Sequence, residues 1–386
     1  MKNKYLFLFI LINSFISACS LSETNLQEID LTKVQNKVLI PDMKDSLEIR
    51  YSDLYSNVRY ITLESCPEEA IIGLISRMEI ANNGDFIIFD QINNKIVRYD
   101  SCGQFKNLIG ERGHGPNEYI SPKTICYDKY ENLLIIVDGW TGKLLYFNLN
   151  GKMIKSLKVP FPSEIKVLDQ VHLVLFNNYS KAENYNYLIV TKDGKECSKF
   201  EPIQKTIKMK GFPDTGNVFK YFDEDILLCR SAYSSIIYKA QADSIIPYIE
   251  MYSTDKIWAM SRPNQLADAY KNTDKAYVRT ALVINGKVIL EGYNFINNYP
   301  FLYINDLQGH IRAGQKVIND VFGYANFTCF LQNKGNNIYK YIKPEKYEEL
   351  LDSWKDRTDI PQEDREFVTR MANSINPIIQ VCTVKD

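Results

Sequence analysis

The chain has 386 residues, 45% of them hydrophobic and 24% charged, a balance that supports a buried core and excludes disordered and collagen-like chains. Lys and Arg number 46 against 47 Asp and Glu, with no basic block, which argues against nucleic acid as a partner. Three His, at 114, 172 and 310, leave little scope for metal or acid–base clusters built on histidine.

Lys2 and Lys4 precede an apolar run from Tyr5 to Ile12, and Ile16-Ser17-Ala18-Cys19 follows. This order predicts a secretory signal over residues 1–18. The run falls short of the roughly 20 apolar residues that span a bilayer. Its ending resembles a bacterial lipobox, which implies acylation of Cys19 and a membrane partner held through lipid. Each buried acyl CH2 contributes about 0.8 kcal/mol, so several chains hold a protein without a spanning helix. Ser20 to Val38 is polar, mixed in charge and without hydrophobic period, so residues 19–45 read as a lipidated flexible tether. The seven other Cys are odd in number and lack any C-x-x-C pair. They read mostly as small core residues, with one or two bridges left open.

From residue 46 the chain falls into short β-rich runs between turn signals. Asn83 to Asp90 leads to Ile96 to Asp100 with Cys102-Gly103 in the turn; Glu131 to Asp138 leads to Leu144 to Asn148 with Asn150-Gly151 in the turn. The offset of about 47 to 48 residues suits a four-stranded propeller blade. Weaker copies start near Val171, Asp225, Gly286 and Asn337, so 46–386 is expected to form an all-β, six-bladed β-propeller. Strands at Leu47 to Tyr51 and Val58 to Leu63 and a lone strand at Ile378 to Thr383 suggest a ring closed by N- and C-terminal strands in one blade. Small helical insertions are expected over about 344–374, where Tyr347, Leu350, Leu351 and Trp354 share a face, and at Pro263 to Lys271.

The lipobox, the six repeats, the segment Gly110-Glu111-Arg112-Gly113-His114-Gly115-Pro116-Asn117-Glu118-Tyr119 and the closing Asn376-Pro377-Ile378-Ile379 together resemble the six-bladed, NHL-like propeller lipoproteins of Bacteroides-type bacteria. Asn117 stands where that family usually has a third Gly. The resemblance implies an exported protein held in the cell envelope, at the outer membrane. Ser20 to Glu23 carries one acid rather than an acidic run, which favours a periplasm-facing anchor.

Two places could contact a ligand. The Gly-rich segment could expose N–H groups to an anion, with Arg112, His114, Asn117, Glu118 and Tyr119 around it; the plainer reading is a sharp link between blades. Trp140, after Asp138-Gly139, and the Tyr179, Tyr185, Tyr187 group could stack on sugars or peptides. No nucleophile elbow or nucleotide loop is present, so no catalytic residue is assigned. The leading expectation is a non-catalytic binding propeller for an envelope protein, peptide or glycan partner. The alternative is a propeller hydrolase or lyase acting on carbohydrate or a lactone-like ester, with Ca2+ held by carboxylates at the ring centre.

Overall fold

Each blade is an antiparallel sheet that runs from an inner strand to an outer one, and six such sheets form the ring. The computed structural model describes residues 26–40, 48–160, 162–178, 183–202, 218–222, 226–230, 234–253, 277–294, 299–314, 316–320 and 329–386. Blade 1 comprises Ile75–Ile80, Phe86–Asp90, Lys95–Tyr99 and Phe105–Leu108. Blade 2 comprises Pro122–Asp128, Leu133–Asp138, Lys143–Asn148 and Met153–Lys158. Blade 3 follows with Glu164–Val167, His172–Phe176, Tyr185–Thr191 and Glu196–Pro202. Blade 4 has Phe219–Tyr221, Leu227–Cys229, Ile236–Ala240 and Ile245–Ser253. Tyr277–Ile284, Lys287–Asn294, Tyr299–Asn305 and Ile311–Gly314 make blade 5. Blade 6 takes Cys329–Lys334, Asn337–Ile342 and Ile378–Val384, and its outer strand is Tyr55–Thr62. The predicted six-bladed propeller and its mode of closure are both observed, because the N- and C-terminal strands pair side by side in this last blade.

The middle strands read as unbroken apolar runs because each blade packs between two neighbours. Successive side chains point to opposite sheet faces. In blade 2, Leu134 and Ile136 pack with Ile87 and Phe89 of blade 1, while Ile135 and Val137 pack with Leu173 and Leu175 of blade 3. The turns before the outer strands repeat one device. Asp100, Asn148 and Asp306 each accept backbone N–H groups from residues two and four further on. A side chain on Gly103, whose φ is +85°, would meet Thr62 O at 2.3 Å. That turn therefore seats against the closing strand only as Gly.

The insertion expected over about 344–374 consists of the helices Glu345–Ser353 and Gln362–Ala372, placed between the second and third strands of blade 6. Tyr347, Trp354, Phe367, Val368 and Met371 bury against Ile342 and Ile378. The Pro263 to Lys271 patch, the signal 1–18 and Cys19 lie outside the described residues.

The predicted tether takes a different form from Leu26 onward. Leu26–Gln27 adds a parallel strand outside blade 3, Asn36–Ile40 adds one outside blade 4, and Glu48–Arg50 pairs with Lys316–Ile318 beside blade 5. The segment is a strap around three blades. Val38 and Ile40, both 0% exposed, enter the core shared by blades 4 and 5, and the strap's backbone pairs with outer strands that would otherwise present open edges. Of the two N-terminal strands offered for closure, Val58 to Leu63 supplies blade 6, whereas Glu48–Arg50, from the other, goes to the strap.

Cys126, Cys229 and Cys382 are buried free thiols, Cys197 is half-buried, and Cys66 and Cys102 are exposed and free. Burial pushes the thiols of Cys126 and Cys382 up to about 12, so these behave as small core residues. Glu201 on the outer strand of blade 3 is a buried carboxyl whose Oε2 accepts from Asn186 Nδ2 at 2.7 Å. Burial raises its pKa from 4.5 to about 7. Between those values the unfolded chain loses the proton and the folded chain keeps it, so stability falls as pH rises through the window and levels off above it. Glu201→Gln is expected to stabilise the protein at pH 8 by on the order of 2 kcal/mol and to change little at pH 4.5. Thermal melts of both proteins at the two pH values check this, and an equal effect at both would refute it.

Candidate functional site

In every blade the turn between the second and third strands lies at the same end as the links between blades. We call this end the upper face. Gly110 to Tyr119 is the link from blade 1 to blade 2. Glu111–Arg112 pairs in parallel with Glu118–Tyr119, Gly113 N–H donates to Tyr119 O at 2.9 Å, and Gly115 N–H donates to the Glu118 carboxylate. A Cβ at Gly113 or Gly115 would meet that carboxylate at 2.1 or 2.9 Å. The glycines thus make room for the protein's own Glu118, and the anion that this loop holds is internal. Asn117 Oδ1 accepts from Met153 N at 2.9 Å, and the Tyr119 hydroxyl, in a residue only 1% exposed, accepts from Ile96 N at 3.2 Å. Asn117, Glu118 and Tyr119 therefore shape the link, while Arg112 and His114 stand exposed on it.

Trp140 is 75% exposed on the second turn of blade 2. That turn is held from below by Asp138, whose carboxylate accepts from Ser121 N at 3.0 Å, Trp140 N at 3.2 Å and Thr141 Oγ1 at 2.9 Å. Asp90 does the same in blade 1, accepting from Gly73 N at 2.9 Å, Leu74 N at 3.0 Å and Asn93 Nδ2 at 2.6 Å. Each buried carboxylate ties an incoming link to an outgoing turn. The blade 1 turn carries Ile92, and Ile375 lies at the end of the blade 6 insertion; they are 65% and 64% exposed. Blades 6, 1 and 2 are consecutive, so three large apolar side chains lie on neighbouring sectors of the upper face. Sequence reasoning singled out Trp140 and missed the two Ile, whose signal is the same: a bulky apolar residue inside a polar turn. It also misplaced Tyr185 and Tyr187, which are buried because they belong to a middle strand, Tyr187 in the core shared with blade 4 and Tyr185 in the core shared with blade 2; Tyr179 lies outside the described residues.

The inner strands line the ring centre. Their alternation sends Met78 and Ile80 into the blade core and Arg77 and Glu79 to the centre. Arg77 donates to Glu164 at 3.0 Å, Lys166 pairs with Glu79, and Val218 N–H donates to Glu164 at 2.9 Å. Burial opposes the charge of Lys166, but Glu79 and neighbouring groups outweigh it and raise its pKa. For Lys220 burial wins: its pKa lies well below the usual lysine range, with Glu164 opposing and Arg77 and Lys166 adding to the shift. Among the described residues no group of three or more His, Cys, Asp or Glu is placed to hold a metal ion.

The family described as Domain of unknown function (DUF4934) matches residues 29–383, which takes in strands of all six blades and the strap from residue 29 onward. The chain belongs to this family. No protein of curated function matches it. Among solved structures, this DUF4934 chain is similar to a Bacteroides fragilis NCTC 9343 protein described as exported, at 15% identity and a TM-score of 0.69, over 91% of this chain and 100% of that one. It is also similar to a member of the DUF4221 family from Bacteroides vulgatus ATCC 8482, at 10% identity and a TM-score of 0.50, over 86% and 97%. At these identities the likeness is one of fold. No helix among the described residues of the DUF4934 chain is long and apolar enough to cross a membrane.

Proposed function

We propose that this DUF4934 protein is an exported lipoprotein, anchored through Cys19, whose propeller binds a protein, peptide or glycan partner in the cell envelope. The observation that carries the binding role is Trp140, largely exposed on a turn that Asp138 fixes. A rigid exposed aromatic loses little entropy on binding, and such residues dominate interface energies. Ile92 and Ile375 extend the apolar character to the adjacent blades. The lipobox supports the anchor. The strap carries the N-terminal chain to the outer edge of blade 3, across the ring from blade 6, so a lipid tether leaves the Ile375 sector clear. Of the described ring-centre carboxylates, Glu79 and Glu164 are each engaged by a cation, whereas glycoside cleavage needs one carboxyl free to give a proton.

The test is a mild-detergent pull-down from native membranes with wild type, Trp140→Ala and Cys19→Ala. Trp140→Ala is expected to lose a stoichiometric partner by about tenfold or more at unchanged melting temperature, and Cys19→Ala to leave the membrane fraction. Full partner recovery with Trp140→Ala would overturn the assignment of the binding face. Membrane retention of Cys19→Ala would overturn the anchor.

A further inference from the structure

At the end opposite the upper face, a groove of about 450 Å³ lies between blades 1 and 2, within the roughly 300–1,000 Å³ of small-ligand clefts. Its walls are mostly side-chain amides. Asn82 and Asn83 come from the turn between the first two strands of blade 1, Asn132 from the same turn of blade 2, and Asn148 and Asn150 from the turn before the outer strand of blade 2. The protein's own donors fix which way four of these amides point. Asn83 Oδ1 accepts from Asp85 N at 3.2 Å, and Asn148 Oδ1 accepts from Asn150 N at 3.1 Å and Lys152 N at 3.0 Å. Asn150 Oδ1 accepts from Arg98 Nη1 at 3.4 Å. Asn132 Oδ1 accepts at 2.6 Å from the Tyr127 hydroxyl, which itself accepts from Asn82 N. With these four carbonyl ends engaged, the four NH2 ends are left without an acceptor among the described residues. Asn82 is turned the other way: its Nδ2 donates to Lys129 O at 2.8 Å and its Oδ1 is left to accept. Arg98 is the charged residue on these walls among the described residues, and Asp85 matches its charge at 2.6 Å.

We infer that this groove binds an uncharged carbohydrate. Its occupant must bring acceptors in excess and no charge. A hydroxyl carries one donor and two acceptor lone pairs, and ring and glycosidic oxygens only accept, so a sugar meets the four NH2 groups and still has a donor for Asn82. A peptide backbone carries an N–H for nearly every C=O, and those N–H groups would find few acceptors here. A carboxylate or sulfate would bring a charge that the paired Arg98 does not balance. Because contacts within the protein already hold the amides, little order is lost on binding. The site uses neither Trp140 nor the lipid anchor, and so stands apart from the upper-face surface.

An array of neutral oligosaccharides released from plant, animal and bacterial polysaccharides, printed beside acidic glycans and peptides, tests the class of ligand. The mature chain is expected to bind neutral sugars on it. In titration calorimetry with a bound oligosaccharide, Asn83→Asp and Asn132→Asp are each expected to weaken binding by about tenfold or more, and Trp140→Ala to leave it unchanged. Each Asp keeps the oxygen that the protein uses and replaces the donor by an acceptor, so melting temperatures are expected to match the wild type. Crystals of the wild type with that oligosaccharide are expected to show it in the groove, which decides the matter if a variant fails to fold. Binding to no neutral sugar, a preference for acidic glycans or peptides, or full affinity in a folded Asp variant would each overturn the proposal. Loss of sugar binding in Trp140→Ala alone would place the sugar on the upper face, overturning this site while leaving that one standing.

Discussion

Replacing Asn376 by Leu is expected to destabilise the propeller by about 3 to 5 kcal/mol, because it strips several buried partners at once. Asn376 is 0% exposed and stands where the blade 6 insertion returns to its third strand. Its Oδ1 accepts from Ile72 N at 2.7 Å, and its Nδ2 donates to Glu64 O at 2.8 Å and Ala70 O at 2.9 Å. Those three backbone groups belong to the link from blade 6 to blade 1, where the ring closes. Leu has similar bulk but no polar atoms, so the packing term stays small and the unpaired N–H and C=O groups dominate. Urea unfolding gives the difference directly. A loss below about 1 kcal/mol would mean that water replaces the amide and that closure rests on strand pairing alone.

The blades were legible because their middle strands are buried on both faces. Runs such as Leu134 to Val137 need no periodicity to be seen, and turns such as Asp100 to Gly103 mark their spacing. The inner strands were not, for a physical reason: alternation puts Arg77, Glu79, Glu164, Lys166 and Lys220 at the ring centre, so these segments look like ordinary polar surface. The charged centre is assembled from blades far apart in sequence, and only the closed ring shows Glu79 beside Lys166. The Gly110 to Tyr119 segment shows the opposite limit. Its composition was conspicuous, but whether its N–H groups face a ligand or Glu118 depends on backbone geometry that composition does not carry. The strap failed for want of length. A single five-residue edge strand, Asn36–Ile40, offers two inward side chains, too few for a pattern to rise above a polar tether.

The same two side chains make the strap testable. The double substitution Val38→Ala and Ile40→Ala is expected to cost about 3 to 5 kcal/mol, whereas in a free tether it would cost almost nothing. Both residues are fully buried with Ile249, Met251 and Tyr303, and Tyr303 donates its hydroxyl to Leu39 O at 2.9 Å. Truncation leaves cavities that the flanking β-sheets cannot close, since both sheets are pinned by their own ladders. Residues 38 and 40 share one face of one strand, so their effects are coupled and the sum of the single substitutions will not equal the double. Because the strap is an outer, parallel addition, the loosened variant should open locally before the ring does. Limited proteolysis is therefore expected to cut within residues 26–45 of the double variant while residues 55–386 stay intact. Equal protection of that segment in variant and wild type would show that strand pairing to blades 3 and 4, rather than the two buried side chains, holds the strap in place.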